Sequence, residues 1–270
     1  MGGETGNTAA PPEIKLYWLD RSRSQRIVWL LEELQTPYEI IISHRDKQLK
    51  APPSHARIHS LGKFPVVRIT PPDGGEPVTL AESGFITQYL CEHLPTGARL
   101  VPTRWRPGRE GTVGGETKEW LRYEYLMHYV EGSLMPMLVL FLVLEGFRSK
   151  KLPIVIRSVT SRAAGTVMKR WIKPDATKHL TMLEGILAEN EEHGWVFLCG
   201  PTVSAADILI SFPLISAKAH WNNMGGWRGG SWVNEFPRVA AYTELLEKED
   251  GYQRSVDKIK SMDGGFSASL

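Results

Sequence analysis

Cysteine is nearly absent: two thiols, Cys91 and Cys199, in 270 residues. They stand far apart inside apolar stretches (YLCEHL and VFLCG), which excludes a CxxC redox pair and metal-ligand spacing, so both read as small buried hydrophobes. Net charge is also scarce, at +2, with scattered basic residues, so nucleic acid is not an expected partner. No apolar run is long enough to predict an integral membrane span. The longest, SLMPMLVLFLVLEGF at 133–147, is interrupted by Pro136 and reads as a buried helix. Peripheral membrane contact finds no support at this level. The first residues, MGGETGNTAAPPE, lack the apolar core and basic flank of a secretory signal. An apolar fraction of 42% with 23% charged residues is that of a globular chain able to bury a substantial core.

From Ile14 the pattern is β-α-β and then β-β-α. Ile14, Leu16 and Trp18 alternate with Lys15 and Tyr17, as in a half-buried strand. Ile27, Leu30, Leu31 and Leu34 form one helical stripe, and Pro37 precedes a second β-rich run, Tyr38 to Ile42. Val66–Ile69 and Val78–Leu80 flank Pro72-Asp73-Gly74-Gly75, which predicts an antiparallel hairpin. A helix follows to Pro95. Residues 96–116 are rich in Pro and Gly and read as a linker. Beyond them a long helix from Thr117 to Phe147 is expected, kinked at Pro136, with another starting at Pro153 and a third from Asp175 to Glu192. Ser204-Ala205-Ala206-Asp207 predicts a capping box, which makes Asp207 structural. HWNNMGGWRGGSW at 220–232 is an insertion whose tryptophans have two readings, packing on the body or on a ligand.

Two short motifs carry chemistry. In Lys63-Phe64-Pro65-Val66-Val67, Pro65 cannot donate to a central ladder, so it marks a sharp backbone feature at a strand's start, with a cis bond as one option. The backbone of Phe64 then faces outward, available to an extended peptide. Glu82-Ser83 opens an apolar run in the manner of a helix N-terminus, where free N–H groups and a hydroxyl suit a carboxylate. A third segment, Leu19 to Arg26, is a polar loop opening the first helix, with Ser22 or Ser24 as its N-cap. Together they suggest a site for a small peptide with a charged end.

The segments WLDRSRSQRIVWLLEEL (18–34), RDKQLKAPP (45–53), IHSLGKFPVV (58–67), LAESGFITQYL (80–90), YVEGSLMPML (129–138) and SAADILISFPL (204–214) resemble cytosolic-type glutathione transferases of the yeast-like fungal branch. That resemblance covers about residues 14 to 250. It implies a thioredoxin-like glutathione-binding domain at 13–95, a linker at 96–116 and an all-helical electrophile-binding domain at 117–262. Tails are expected at 1–12, disordered, and at 263–270. It further implies conjugation of glutathione to hydrophobic electrophiles, in detoxification or secondary metabolism. Alternatives on the same fold are glutathione-dependent isomerase or peroxidase activity, or a non-catalytic scaffold. No metal or resident cofactor is implied, glutathione being a co-substrate. A cytoplasmic homodimer is implied.

Residue by residue, the resemblance matches Ser22 to the hydroxyl that faces the sulfur, with Ser24 as second choice and Arg21 or Arg23 adding positive charge. Phe64 and Pro65 would pair with the cysteinyl part. Glu82 would take the γ-glutamyl ammonium and Ser83 its carboxylate. Lys63, Lys50 and the further candidate His59 would meet the glycyl carboxylate. Tyr125, Tyr129 and Ser133, four apart on one face of the long helix, are the candidate contacts for the electrophile, with core packing as the other reading of both tyrosines.

Overall fold

A computed structural model describes residues 10–149 and 152–268, so most of the expected tail at 1–12 lies outside the described residues. The chain divides into two compact units, Met1–Thr96 with Gly251–Ser267, and Gly97–Asp250 with Ala268–Leu270.

The first unit is a four-stranded sheet with helices. β1 (Glu13–Leu19) leads through α1 (Ser24–Leu34) to β2 (Glu39–Ser43), and β3 (Val66–Thr70) and β4 (Val78–Ala81) lead to α2 (Ser83–His93). Strand order is β2-β1-β3-β4, with β1 parallel to β2 and antiparallel to β3. Register sets Ile40, Leu16, Val67 and Leu80 in one row across all four strands, each buried. The period of two thus puts one apolar row against the helices. This is the expected thioredoxin-like architecture.

α1 is buried well beyond its stripe, with Gln25 and Trp29 enclosed as well. The reason lies far along the chain. The last helix, α10 (Asp250–Asp263, introduced here for its packing on α1), sets Tyr252 edge-on to Trp29 at 5.4 Å and Ser255 Oγ 2.9 Å from Gln25 Nε2. Arg254 and Lys258 reach the Glu32 and Glu33 carboxylates at 3.3–3.7 Å. A Cβ at Gly251 would collide with Glu33 and Trp29, so a glycine is needed at this approach. The range 117–262 expected for the helical domain is therefore divided, its last helix lying with the sheet unit.

The second unit is helical. α3 (Lys118–Tyr129) begins at Thr117, whose hydroxyl accepts from Trp120 N–H at 3.2 Å. It runs through a π turn, Val130–Leu134, into α4 (Met135–Gly146). α5 (Ile154–Val167) likewise runs through a π turn, Met168–Ile172, into α6 (Lys173–Glu192). The two helices expected after Pro153 are thus one continuous run. In both cases the last widened bond, Met135 N–H to Val130 O and Lys173 N–H to Met168 O, falls one residue before a proline, Pro136 or Pro174. A proline clashes with the carbonyl four residues back, and the widened turn makes room for the ring.

α7 (Ala205–Lys218), α8 (Trp232–Glu235) and α9 (Pro237–Lys248) complete this unit. The capping box forms as expected, Asp207 Oδ2 accepting from Ser204 N–H at 2.8 Å. The tryptophan-rich insertion packs on its own unit: Trp221, Trp227 and Trp232 are all buried, and Trp227 Nε1 donates to Trp221 O at 2.8 Å.

Burial decides the chemistry of both cysteines. It pushes the Cys91 thiol up to about 12 and raises Cys199 as well. With almost no thiolate at neutral pH, neither should react with a water-soluble disulfide reagent in the native protein, whereas denaturation should release two titratable thiols. A rapidly reacting native thiol would contradict this burial.

Candidate functional site

The β1–α1 loop is held from two sides. Arg45 N–H donates to the Asp20 carboxylate at 2.7 Å, and its guanidinium reaches the carbonyls of Asp20 and Arg21 at 3.2 Å. Inside the loop, Ser22 Oγ lies 2.8 Å from Leu19 O and 2.8 Å from Ser24 Oγ, and accepts from Ser24 N–H at 3.1 Å. Ser24 Oγ accepts from Leu19 N–H at 3.3 Å and is wholly buried. The expectation that one of these serines is the N-cap is corrected here: Arg23 holds that position, without a side-chain cap bond. The hydroxyls instead staple the end of β1 to the start of α1, Ser22 Oγ bridging Leu19 O and Ser24 N–H while Ser24 Oγ takes Leu19 N–H.

Phe64-Pro65 is joined by a cis peptide bond immediately before β3. Phe64 is fixed by a residue for which the sequence carries no signal. His55, in a short 3-10 turn at Pro53–Arg57, stacks on its ring at 3.5 Å, and His55 Nε2 lies 3.1 Å from Lys63 O. A carbonyl only accepts, so Nε2 carries the proton.

Burial lowers the His55 pKa, because the charged ring is disfavoured among Phe64 and Tyr17. A histidine with a depressed folded pKa favours folding fully above its unfolded value of about 6.5, and that contribution is lost as pH falls through the folded pKa. Folding stability should therefore decline on acidification below about 6.5, and His55→Leu should remove that step. Calorimetry across pH on both proteins checks it; an unchanged step in the variant would assign the titration elsewhere.

At α2 the backbone takes an uncommon shape. Glu82 has φ 68°, in the left-handed region, and stands at the N-cap of the helix, exposed. Ser83 behind it is buried, and its Oγ accepts from the Arg26 guanidinium at 2.6 Å. Arg26 is itself 1% exposed, a cation in the interior of α1 one turn from Leu30. An arginine one turn before Leu30 of the apolar stripe was the available sequence signal.

One cleft gathers Arg23, His59, Lys63, the Phe64-Pro65 step, Glu82 and Ser83. Two cationic side chains, one imidazole and one carboxylate thus surround the Phe64-Pro65 step and a helix N-terminus. Ser22 and Ser24 do not line it. Lys50 does not either: it is exposed in the loop after β2, its N–H bonded to Asp46 Oδ1 at 2.8 Å. In the helical unit, Tyr125 is half-exposed and stacked on Tyr129 at 5.5 Å. Tyr129 is buried, its hydroxyl 2.8 Å from His179 Nδ1, and Ser133 is exposed within the first π turn.

Residues 12–92 match the family model described as "Glutathione S-transferase, N-terminal domain". Glutathione S-transferase 1 of Saccharomyces cerevisiae is 28% identical over 255 residues, 94% of this chain and 99% of that protein. Among solved structures, glutathione transferase URE2P6 from Phanerochaete chrysosporium, crystallised with oxidized glutathione, shares the fold at a TM-score of 0.64 and 18% identity, over 93% of this chain and 97% of that one. Glutathione S-transferase 3 of Schizosaccharomyces pombe is 32% identical over 205 residues, 76% of this chain and 74% of that protein. By that span of likeness, on the fold and cleft just described, the chain belongs to the glutathione S-transferase family.

Proposed function

We propose that the cleft binds glutathione and that the chain conjugates it to hydrophobic electrophiles. The observation that carries this is one cleft lined by the Phe64-Pro65 step and by an α2 N-terminus whose Ser83 hydroxyl is fixed by Arg26. Phe64 N–H and C=O pair with the cysteinyl residue. The Ser83 hydroxyl and the first N–H groups of α2 hold the γ-glutamyl carboxylate, and Glu82 its ammonium. Lys63, with His59, meets the glycyl carboxylate.

In the reaction the thiol gives its proton to solvent, the sulfur forms a bond to the electrophilic carbon, and the leaving group departs with its bonding pair. Ser22 stabilises the thiolate by turning its O–H from Leu19 O toward the sulfur, while Ser24 stays behind it as a staple. Arg23, at the N-terminus of α1, adds positive potential. Tyr125, Tyr129 and Ser133 serve the electrophile, with Tyr129 held by His179. Family membership supports a cytoplasmic homodimer, which light scattering tests.

The test is turnover of 1-chloro-2,4-dinitrobenzene with the conjugate identified by mass. A charge-assisted hydroxyl bond contributes about 1.5–3 kcal/mol, so Ser22→Ala should lower kcat/KM about 10- to 100-fold while glutathione still binds. Unchanged turnover would remove Ser22 from the chemistry. Wild-type protein that binds no glutathione at millimolar concentration would overturn the transferase reading and favour a scaffold. Bound glutathione without conjugate would direct the search to isomerase or peroxidase products.

A further inference from the structure

We infer that Arg45 is a positioning residue for the thiolate, holding the β1–α1 loop so that Ser22 and Arg23 meet the sulfur. This role rests on the transferase reading above, and Arg45 itself does not line the cleft. Its guanidinium has three nitrogens, and each donates to a main-chain carbonyl: Nε to Asp20 O at 3.2 Å, Nη2 to Arg21 O at 3.2 Å and Nη1 to Leu49 O at 2.9 Å. The Arg45 N–H adds the bond to Asp20 Oδ1 at 2.7 Å. One residue thereby ties the loop before α1 to the loop after β2.

Both ends of that tie are fixed. Asp20 N–H donates to Ser43 O at 3.2 Å and carries the β1–β2 pairing one step past Leu19. On the far side, Asp46 Oδ1 accepts from the N–H groups of Gln48 at 2.9 Å and Lys50 at 2.8 Å. Asp46 N–H donates to Lys50 O and Leu49 N–H to Asp46 O, both at 2.9 Å, so 46–50 is a closed turn. Leu49 takes φ 62° inside it and presents its carbonyl to Nη1. Arg21, the residue before Ser22, has φ 48°. An L residue rarely holds that left-handed shape unaided, and a relaxed turn would redirect the chain after it. The bond from Nη2 to Arg21 O secures the carbonyl of that residue.

The residues after Arg21 carry the chemistry. Ser22 Oγ bonds Leu19 O at 2.8 Å and Ser24 N–H at 3.1 Å, so its reach toward a sulfur depends on where the chain before it runs. Arg23 comes next, holds the N-cap of α1 and lines the cleft. The groups that anchor the peptide lie on other segments, Lys63 and Phe64 before β3 and Glu82 and Ser83 at the start of α2. Loosening the clamp should therefore weaken stabilisation of the thiolate and leave the grip on the tripeptide. Shape rather than charge is what Arg45 supplies. A planar fork meets three carbonyls at once, whereas a lysine ammonium on a flexible stem offers the same charge without the fork.

Arg45→Ala and Arg45→Lys, each in the full chain and compared with wild type, test this. Calorimetry with S-methylglutathione reads the grip on the peptide without its thiol. Ultraviolet thiolate absorbance of bound glutathione reads the thiol pKa, and turnover of 1-chloro-2,4-dinitrobenzene reads kcat. S-methylglutathione affinity should stay within about twofold, while the thiol pKa rises by about one and kcat at neutral pH falls roughly tenfold, in the lysine variant as in the alanine variant. A lysine variant with wild-type thiol pKa and kcat would make Arg45 a source of charge and overturn the positioning role. An unchanged thiol pKa in both variants would overturn it too. So would S-methylglutathione affinity that falls as far as kcat, since that marks a general loosening of the unit. Wild-type protein that binds neither peptide would overturn the transferase reading, and the positioning role with it.

Discussion

Ser83→Ala should raise the glutathione Kd about 10- to 100-fold, the largest binding effect expected from a single atom in the cleft. The hydroxyl does two jobs at once. It presents a polarised O–H to the incoming carboxylate, and its oxygen is the acceptor for Arg26 at 2.6 Å. A hydrogen bond to a charged group contributes about 1.5–3 kcal/mol, and each 1.4 kcal/mol is tenfold in Kd. Truncation also leaves the buried Arg26 guanidinium beside a methyl group, and the cation then favours a neighbouring rearrangement over the binding geometry. Arg26→Met separates the two jobs, because it keeps the hydroxyl and removes the charge behind it. If affinity falls by a similar factor there, Arg26 acts through Ser83 as a positioning residue. Calorimetry on both variants reads this out. Wild-type affinity in Ser83→Ala would mean that the peptide's carboxylate does not meet the start of α2.

Asp207→Ala should cost about 3–5 kcal/mol of stability, because it removes one buried carboxylate from four donors. Those are the N–H groups of Leu198 and Ser204 and the hydroxyls of Ser204 and Tyr242. At about 2–4 °C per kcal/mol for a chain of this size, the thermal midpoint should fall by roughly 6–20 °C. Ser204→Ala loses only the cap, about 1 kcal/mol. The contrast between the two variants is the diagnostic: Asp207 joins the start of α7, the 197–200 turn and α9, whereas Ser204 supplies the helix cap and only one of the four donors to that carboxylate. The glutathione cleft lies wholly in the other unit, so the folded fraction of either variant should keep its affinity. Equal midpoints for both would reduce Asp207 to an ordinary capping residue.

Legibility followed the range of the interaction. Ile14, Leu16 and Trp18 were readable because a sheet with one packed face enforces alternation on adjacent residues. Phe64, Glu82 and Ser83 were readable because unusual backbone leaves a local trace: a proline at a strand's start, a cap before an apolar run. Gln25 and Trp29 were not, since what buries them is a helix more than two hundred residues further on. His55 was invisible although its partners Lys63 and Phe64 are only eight and nine residues on, because irregular loop folding with no periodic pattern brings them to it. The serine pair was misassigned to the helix because a hydroxyl near a helix start has two competing sets of backbone partners, and only geometry chooses. Pro136 signalled a disturbance correctly, but whether a helix kinks or widens by one residue depends on what packs around it.

The return of α10 to α1 has a consequence for how the protein is made. A ribosome releases β1 first and α10 after the whole helical unit, so the unit that carries the cleft stays unfinished until its final piece emerges. During that interval Trp29 and Gln25 lack their cover, Glu32 and Glu33 lack Arg254 and Lys258, and the loop presenting Ser22 rests on an unsupported helix. Completion of the sheet unit thereby waits for the whole helical unit to be made, and a chain cut short within α10 would be incomplete in its β1–α1 region.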